Sequence, residues 1–275
     1  MKTTTKVKRL VESAVMLAIA TVLSMIKIIH MPAGGSVTAA AMLPVMLIAY
    51  RHGVKWGLFT GFVYGIIEQL LGLSNLQWVT TWQSILAVIF LDYLIAYMGN
   101  GLGGSFRKVK DQASGLVLGI FLACVVRFIC HVIPGATVWA GLSIPTEAAL
   151  IYSLSYNATY MIPETIITMI VGYYVGSILD VRHDRIRQIR NAQDQRVTVL
   201  KIIGGLLVVA ALIFDTIKVF VELQDAESGE FFIMGLKSVN WHPVLIVTGT
   251  ALAAAIVLFI ISVRLNKKRH ESHEA

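Results

Sequence analysis

The sequence carries little charge for its length. Only 14% of its 275 residues are Asp, Glu, Lys or Arg, whereas 56% are hydrophobic, and the mean hydropathy is +0.74. Soluble domains contain about 25% charged residues. The composition therefore excludes a water-soluble enzyme and a disordered chain, and it indicates an integral membrane protein.

The sequence also lacks the motifs of several chemistries. Its two cysteines, Cys124 and Cys130, fall in one apolar stretch and cannot form a disulfide framework. No Walker A, HExxH, CxxC or GxSxG sequence occurs, and the glycine-rich loop at 99–108 has no Gly-Lys-Ser/Thr ending. ATP hydrolysis by this chain, these metal sites and serine-hydrolase chemistry have no support. No basic stripe interleaved with aromatics suggests a nucleic-acid partner.

Apolar stretches of the length that crosses a bilayer, about 20 residues, predict an all-α membrane protein with eight spans. The second is short and contains Pro44, which predicts a tilted or broken helix, and Pro163 predicts a kink in the sixth. The predicted spans are 10–29, 37–50, 55–73, 79–98, 114–133, 148–179, 197–221 and 243–264.

Basic residues predict the orientation, because Lys and Arg stay on the cytoplasmic side. With both termini cytoplasmic, most of the 23 basic residues lie inside, including Arg51, Arg107 and the arginines at 182–196. The outside receives an acidic cluster at 222–230. The net charge of +7 therefore reflects topology, with some attraction to anionic membrane lipid.

A change in composition predicts three regions. Residues 1–180 contain six spans with short loops and form the first domain. Residues 181–196 form a basic cytoplasmic linker, and residues 197–275 form a two-helix transmembrane extension with a basic tail.

Polar residues inside the predicted spans are candidates for function, because each is costly to insert. An acid, several aromatics, an amide and an imidazole near the outer face predict a pocket for a flat, cationic, hydrogen-bonding small molecule. The residues expected near the outer face are Glu68, His131, Trp139, Tyr152 and Asn157, with Trp78 and Trp82 at the start of the fourth span. The other polar candidates are Asp92, Tyr93, Arg127, Tyr156, Glu164, Asp215 and Lys218.

Each candidate has a structural alternative. Trp78 can be an interfacial anchor, and Asp92 can neutralise Arg127 as a buried pair. Arg127 and His131 are four residues apart on one helical face, so Arg127 can hold a carboxylate while His131 faces a ligand. Asp215 and Lys218, three residues apart, are expected to form a local pair.

Several short motifs occur in this chain: MPAGGSV at 31–37, YRHGVKWG at 50–57, LDY at 91–93, a His and a Trp at 131 and 139, and YSLSYN at 152–157. Together they resemble the thiamine-specific substrate-binding subunits of energy-coupling-factor (ECF) transporters. The resemblance covers roughly residues 8–180. The region 197–264 has no counterpart in the six-helix pattern of this family.

The resemblance implies a bacterial membrane subunit that captures thiamine from outside at high affinity, without catalysis and without a cofactor. It implies partners as well: one transmembrane coupling subunit and two ATPases. The coupling surface of the family uses an Ala-x-x-x-Ala pattern on the first helix, which Ala14 and Ala18 supply. Ordinary helix packing within the subunit is the alternative for these two alanines.

The resemblance also assigns roles to the site residues. Trp139 is expected to stack on the ligand, and Asp92, where the family usually has Glu, to pair with the aminopyrimidine. Gly34 and Gly35 fall in the loop that covers the site in the family, but no tryptophan does. The remaining contacts are assigned to Tyr93, His131, Tyr152 and Asn157, with Trp82 as a further aromatic.

Two other functions compete with thiamine capture. The same architecture can serve a thiamine precursor or another vitamin. An intramembrane enzyme could use Asp92, His131 and Glu164 for acid–base chemistry, but the sequence offers no nucleophile motif beside them.

Overall fold

The computed structural model describes residues 2–31, 34–79, 81–137, 147–183, 186–188, 195–223 and 233–274. Its contacts divide the chain into two compact units, Met1–Arg187 and Gln188–Ala275. The boundary between them falls within the stretch 181–196. The first unit contains every residue assigned to the thiamine site from the sequence.

The first unit begins with a long helix and a short β-hairpin. Helix α1 spans Lys2–Met25, and strands β1 (Lys27–His30) and β2 (Ser36–Thr38) pair antiparallel, with His30 opposite Ser36. The prediction had placed 27–29 and 37–38 in helical spans. Isoleucine, valine and threonine favour strands here, and Gly34 and Gly35, with φ of 91° and 89°, provide the turn.

Helices α2 (Leu43–His52) and α3 (Val54–Leu71) follow the hairpin. Pro44 lies in the first turn of α2, where its missing N–H breaks no helical hydrogen bond. It therefore begins this helix rather than breaking it. With 10 residues, α2 is ~15 Å long, about half of the ~30 Å hydrocarbon core of a bilayer.

The next rod, Trp82–Gly104, is irregular. After a 3-10 helix at Leu73–Trp78, it consists of α4 (Trp82–Ala87), a π-helix (Val88–Ile95), α5 (Ala96–Met98) and a 3-10 helix (Gly99–Gly104). A Cβ on Gly101 would clash with the backbone of Leu58. The glycine-rich stretch that the sequence showed is thus a close packing surface between helices, since only glycine permits such an approach.

Helices α6 (Gln112–Thr137) and α7 (Glu147–Ile178) complete the first unit, with strands β3 (Leu179–Asp180) and β4 (Arg187–Gln188) paired after them. Asp111 caps α6, because its Oδ2 accepts a hydrogen bond of 2.8 Å from the backbone N–H of Ser114. Hydrogen bonds from Ser114 lower the pKa of Asp111. Both helices continue through an internal proline, Pro134 and Pro163.

The second unit is a helical hairpin. It comprises α8 (Gln195–Glu222), a 3-10 helix (Ile233–Lys237) and α9 (Trp241–Glu274). Thr248 of α9 donates a short hydrogen bond to Oδ2 of Asp215 in α8. The expected partner of Asp215 was Lys218, whose ammonium instead lies 5.9 Å from the centre of the Phe214 ring. A contact between helices thus replaces the local pair.

Five segments of the described chain are long and apolar enough to cross a membrane. They confirm the fold class, an all-α integral membrane protein. The segments are Trp82–Gly104, Gln112–Ala136, Ala149–Ile178, Val199–Glu222 and Trp241–Leu265.

Candidate functional site

Asp92 and Tyr93 lie on the most irregular part of the first unit. They belong to the π-helix Val88–Ile95, and Asp92 is the one charged residue in that stretch. π-Helical turns are rare and are frequently found at functional sites. Backbone geometry therefore marks the same two residues that the sequence marked by polarity.

Asp92 is paired with His131 of α6. Nδ1 of His131 lies 2.9 Å from Oδ1 of Asp92, and the two side chains are 12% and 13% exposed. When a carboxylate is ionised it can only accept, so in that state Nδ1 donates and the bond sets the tautomer of the imidazole. Nε2 of His131 is buried without a hydrogen-bond partner among the described residues. Such an atom needs an explanation, and a ligand at this position supplies one.

Tyr93 is held by residues outside its own helix. Its hydroxyl accepts a hydrogen bond of 2.9 Å from Nδ2 of Asn75, and its ring stacks on Tyr97 with 6.3 Å between centroids. A Cβ on Gly72 would lie 2.5 Å from the same hydroxyl. Sequence reasoning missed Asn75, whose one signal was its place as a polar residue between two apolar runs.

Three tyrosines at four-residue spacing form a row along one face of α7. The rings of Tyr152 and Tyr156 stack at 6.1 Å, and Tyr160 meets Tyr156 edge-on at the same distance. The Tyr156 hydroxyl donates 2.8 Å to the backbone oxygen of Gly34. A Cβ on Gly35 would lie 2.8 Å from the Tyr160 ring. The tyrosine row therefore fastens the loop between β1 and β2 to α7.

Asn157 lies beside α6, where a Cβ on Gly135 would be 3.5 Å from its Nδ2, but its amide is engaged within α7. Nδ2 donates to the backbone oxygen of Ser153 at 2.9 Å, and Oδ1 accepts from the Tyr160 hydroxyl at 2.7 Å. The Ser153 hydroxyl donates 2.9 Å to the backbone oxygen of Val132. These bonds use part of the hydrogen-bonding capacity of the amide, since Oδ1 has two lone pairs.

The structure describes one of the two tryptophans of the expected site. Trp82 begins α4 and is 67% exposed. It precedes Asp92 by ten residues, which is ~15 Å along a helix. Trp139 lies outside the described residues, so the structure does not place the expected stacking residue.

Arg127 has a carboxylate partner deep in the first unit. Its Nη1 lies 3.3 Å from Oε2 of Glu164, with side chains 8% and 3% exposed. Thr38 donates 2.6 Å to the other carboxylate oxygen, and the guanidinium lies 4.8 Å from the centre of the Tyr97 ring. Glu164 is thus the carboxylate that Arg127 holds, while Asp92 pairs with His131.

Ala14 and Ala18 lie on the exposed side of α1. Neighbouring apolar side chains on this helix are also exposed, Val11 at 56% and Val15 at 53%. Ser13 and Ala20 occupy its buried side. In the described chain the two alanines therefore do not lie within the subunit's own core.

Comparison with known proteins gives a consistent picture for the first unit. The sequence model of a family described as "Thiamine transporter protein (Thia_YuaJ)" matches residues 10–181. The chain is 34% identical to "Thiamine transporter ThiT" of Bacillus subtilis over 175 residues, which cover 59% of this chain and 87% of that protein. It is 29% identical to the protein of the same name from Lacticaseibacillus paracasei over 151 residues, 51% of this chain and 71% of that protein.

Proposed function

Because the chain belongs to the thiamine transporter family, we propose that it is the high-affinity thiamine-binding subunit of an ECF-type importer. It is a multi-pass bacterial membrane protein that transports thiamine, and it is not an enzyme. In the proposed mechanism it captures thiamine from outside and delivers it through a shared module of one transmembrane coupling subunit and two ATPases. The observation that carries the proposal is the buried pair between Asp92 of the π-helix and His131 of α6, inside the matched region.

The chemistry of this pair suits thiamine. The aminopyrimidine donates N–H bonds, which a carboxylate accepts with a contact of about 1.5–3 kcal/mol. The thiazolium carries a permanent positive charge, which aromatic faces stabilise by about 0.5–2 kcal/mol. Asp92 supplies the acceptor, and Tyr152, 38% exposed, supplies a ring face at the end of the tyrosine row. Trp139 is proposed as the stacking residue, with Tyr93, Asn157 and Trp82 as further contacts.

The surface of α1 supports the proposed coupling. Ala14 and Ala18 share one helical face at a spacing of four residues, and both are exposed. Small residues at this spacing let two membrane helices approach closely. The sequence has no nucleotide-binding motif, and in the proposal the energy for accumulation comes from partner subunits. No nucleic acid and no cofactor enter the proposal.

Titration of the purified protein with thiamine tests the binding step. The five tryptophans give an intrinsic signal, and stacking on Trp139 is expected to quench it. Thiamine should bind more tightly than an aminopyrimidine that lacks the thiazolium ring. Equal affinity for both would favour a thiamine precursor as the ligand of the same architecture.

Uptake into vesicles tests the coupling step. With ATP inside, vesicles that contain this chain alone should bind thiamine but not concentrate it. Vesicles that also contain the coupling subunit and the ATPases should concentrate it. Concentrative uptake by the chain alone would contradict the need for partners.

A further inference from the structure

A polar cavity lies in the first unit, lined by none of the residues of the proposed thiamine site. Its volume is about 170 Å³, more than ten times the ~10–15 Å³ that one water molecule requires. Five of its lining residues are permanently positive, and the other two are histidines. The lining residues are Lys8, Arg9, Arg51, His52, Arg107, Arg182 and His183.

These residues come from separate elements, which hydrogen bonds from arginine side chains to backbone oxygens connect. Arg51, at the end of α2, donates from Nη1 to the backbone oxygens of Val181 and His183, at 3.0 and 2.5 Å. Arg107 donates 3.3 Å to the backbone oxygen of Arg51. The cavity wall is therefore built from the start of α1, the end of α2, the turn before α6 and the residues after β3.

Among the described residues, the cations that line the cavity outnumber the nearby carboxylates. Glu12 accepts from Arg51 at 2.8 Å, and it lies 2.7 Å from Nε2 of His52 and 3.9 Å from Nζ of Lys8. Asp180 lies 2.7 Å from Nδ1 of His183, and Asp111 interacts electrostatically with Arg182, so three described carboxylates stand against five cations. Burial lowers the pKa of His52, so this histidine adds little positive charge at neutral pH.

We propose that this cavity binds a phosphate group, carried either by the headgroup of an anionic phospholipid or by a free phosphate. Guanidinium groups match phosphate oxygens in bidentate geometry. The guanidinium of Arg51 is engaged by Glu12 and two backbone oxygens, which leaves Arg9, Arg107 and Arg182 as the arginines for an anion. These arginines lie in the helix ends and turns that the positive-inside rule assigns to the cytoplasm, where the leaflet carries anionic lipid. A concave site lined from several elements favours one small anionic group over a broad acidic surface.

Paired charge-neutralising variants of the full-length chain test the proposal. The test variant is Arg9→Gln with Arg107→Gln, because both residues line the cavity and neither belongs to the proposed thiamine site. The matched control is Lys6→Gln with Lys108→Gln, which removes the same charge from exposed neighbours that do not line the cavity. Thiamine affinity is expected to be the same in both variants.

Two probes distinguish the sources of the phosphate. For the lipid, the protein is placed in phosphatidylcholine nanodiscs prepared with and without phosphatidylglycerol, and native mass spectrometry measures how much phosphatidylglycerol it retains. For the free anion, calorimetry measures binding of inorganic phosphate. We expect the test variant to lose at least about tenfold in affinity for one probe and the control to change by less than about twofold. Loss with phosphatidylglycerol alone assigns a lipid headgroup, and loss with inorganic phosphate alone assigns a soluble anion.

Equal weakening in the test and control variants would overturn the proposal, since general surface charge would then explain binding. Failure of the wild-type protein to bind either probe would overturn it as well. Should the double variant not fold, Arg9→Gln alone carries the test with an expected loss of at least about threefold. Arg9 has no hydrogen-bond or ion-pair partner within the described part of the chain, so its replacement removes no structural contact there.

Discussion

The two units of the molecule differ in the charged side chains that they bury. The first unit buries Arg127 with Glu164 and Asp92 with His131, and its spans at α6 and α7 are 44% and 39% buried. The second unit has the Asp215–Thr248 contact, and its spans at α8 and α9 are 17% and 6% buried. Both units are apolar enough for a membrane, but only the first one assembles several charged groups in its interior among the described residues.

This difference concerns how much of each unit is packed against protein. Charged side chains inside a membrane are costly and are retained where they pair or act on a substrate. The first unit is also the part that matches the thiamine transporter family. The second unit has long apolar faces, which suits contact with lipid, and none of its residues is assigned to the proposed site.

The largest expected effect concerns the exposed small residues of α1. Replacing Ala14 and Ala18 together by Leu should abolish assembly with the coupling subunit, because bulky side chains block close helix approach. Thiamine affinity of the isolated subunit should not change. Co-purification of the assembled complex measures the first effect, and fluorescence titration measures the second.

The second unit offers a matched control for this double replacement. Gly249 and Ala253 of α9 are exposed small residues with the same spacing of four, and replacing both by Leu should leave assembly intact. Loss of assembly in this control would move the docking surface to the hairpin. Loss of thiamine binding in the α1 variant would mean that its alanines pack the core of the subunit.

The next largest effect concerns the buried ion pair. Arg127→Ala leaves the Glu164 carboxylate buried without its cation, so we expect about 3–5 kcal/mol of destabilisation. Replacing both residues by Met should recover most of that loss, since no unpaired charge remains. Lys218→Ala in the second unit should cost less than about 1 kcal/mol, because its contact with Phe214 is a cation–π interaction. Thermal unfolding in detergent measures all three, and equal losses would erase the contrast between the units.

A smaller effect is expected at the proposed site. Asp92→Ala and Trp139→Ala should each weaken thiamine binding at least about tenfold, about 1.4 kcal/mol, whereas Asp92→Glu should be mild. Asp215→Ala is the control, since it removes a carboxylate from the second unit. If the Asp92→Ala protein folds and binds thiamine normally, then Asp92 only hydrogen-bonds His131 and contacts no ligand.

Much of the helical framework could be predicted from hydropathy. Helices α3, α6, α7, α8 and α9 begin within three residues of the predicted spans, because long apolar runs specify them directly. The β-hairpin at 27–38 was missed, since its isoleucines and valine read equally well as membrane helix. The π-helix at Val88–Ile95 leaves no simple mark in residue order.

The site itself could be predicted as a set of residue types but not as a set of pairs. Asp92, His131, Arg127 and Glu164 were recognisable because charges in apolar spans are rare. Their pairing depends on how the π-helix, α6 and α7 are rotated against each other, which side-chain packing decides. The internal engagement of Asn157 with Tyr160 is of the same kind, since it depends on the rotamers of two neighbours on one helix.

The most direct test of the division between the units is the thiamine affinity of a chain that ends after Gln188. The shortened chain retains Arg182 and His183, which form hydrogen bonds with Val109 and Arg51 elsewhere in the first unit. Titration by tryptophan fluorescence should give an affinity within about twofold of the full-length protein, a difference of about 0.4 kcal/mol. A shortened protein that folds but binds thiamine more than tenfold weaker would contradict a binding site made by the first unit alone.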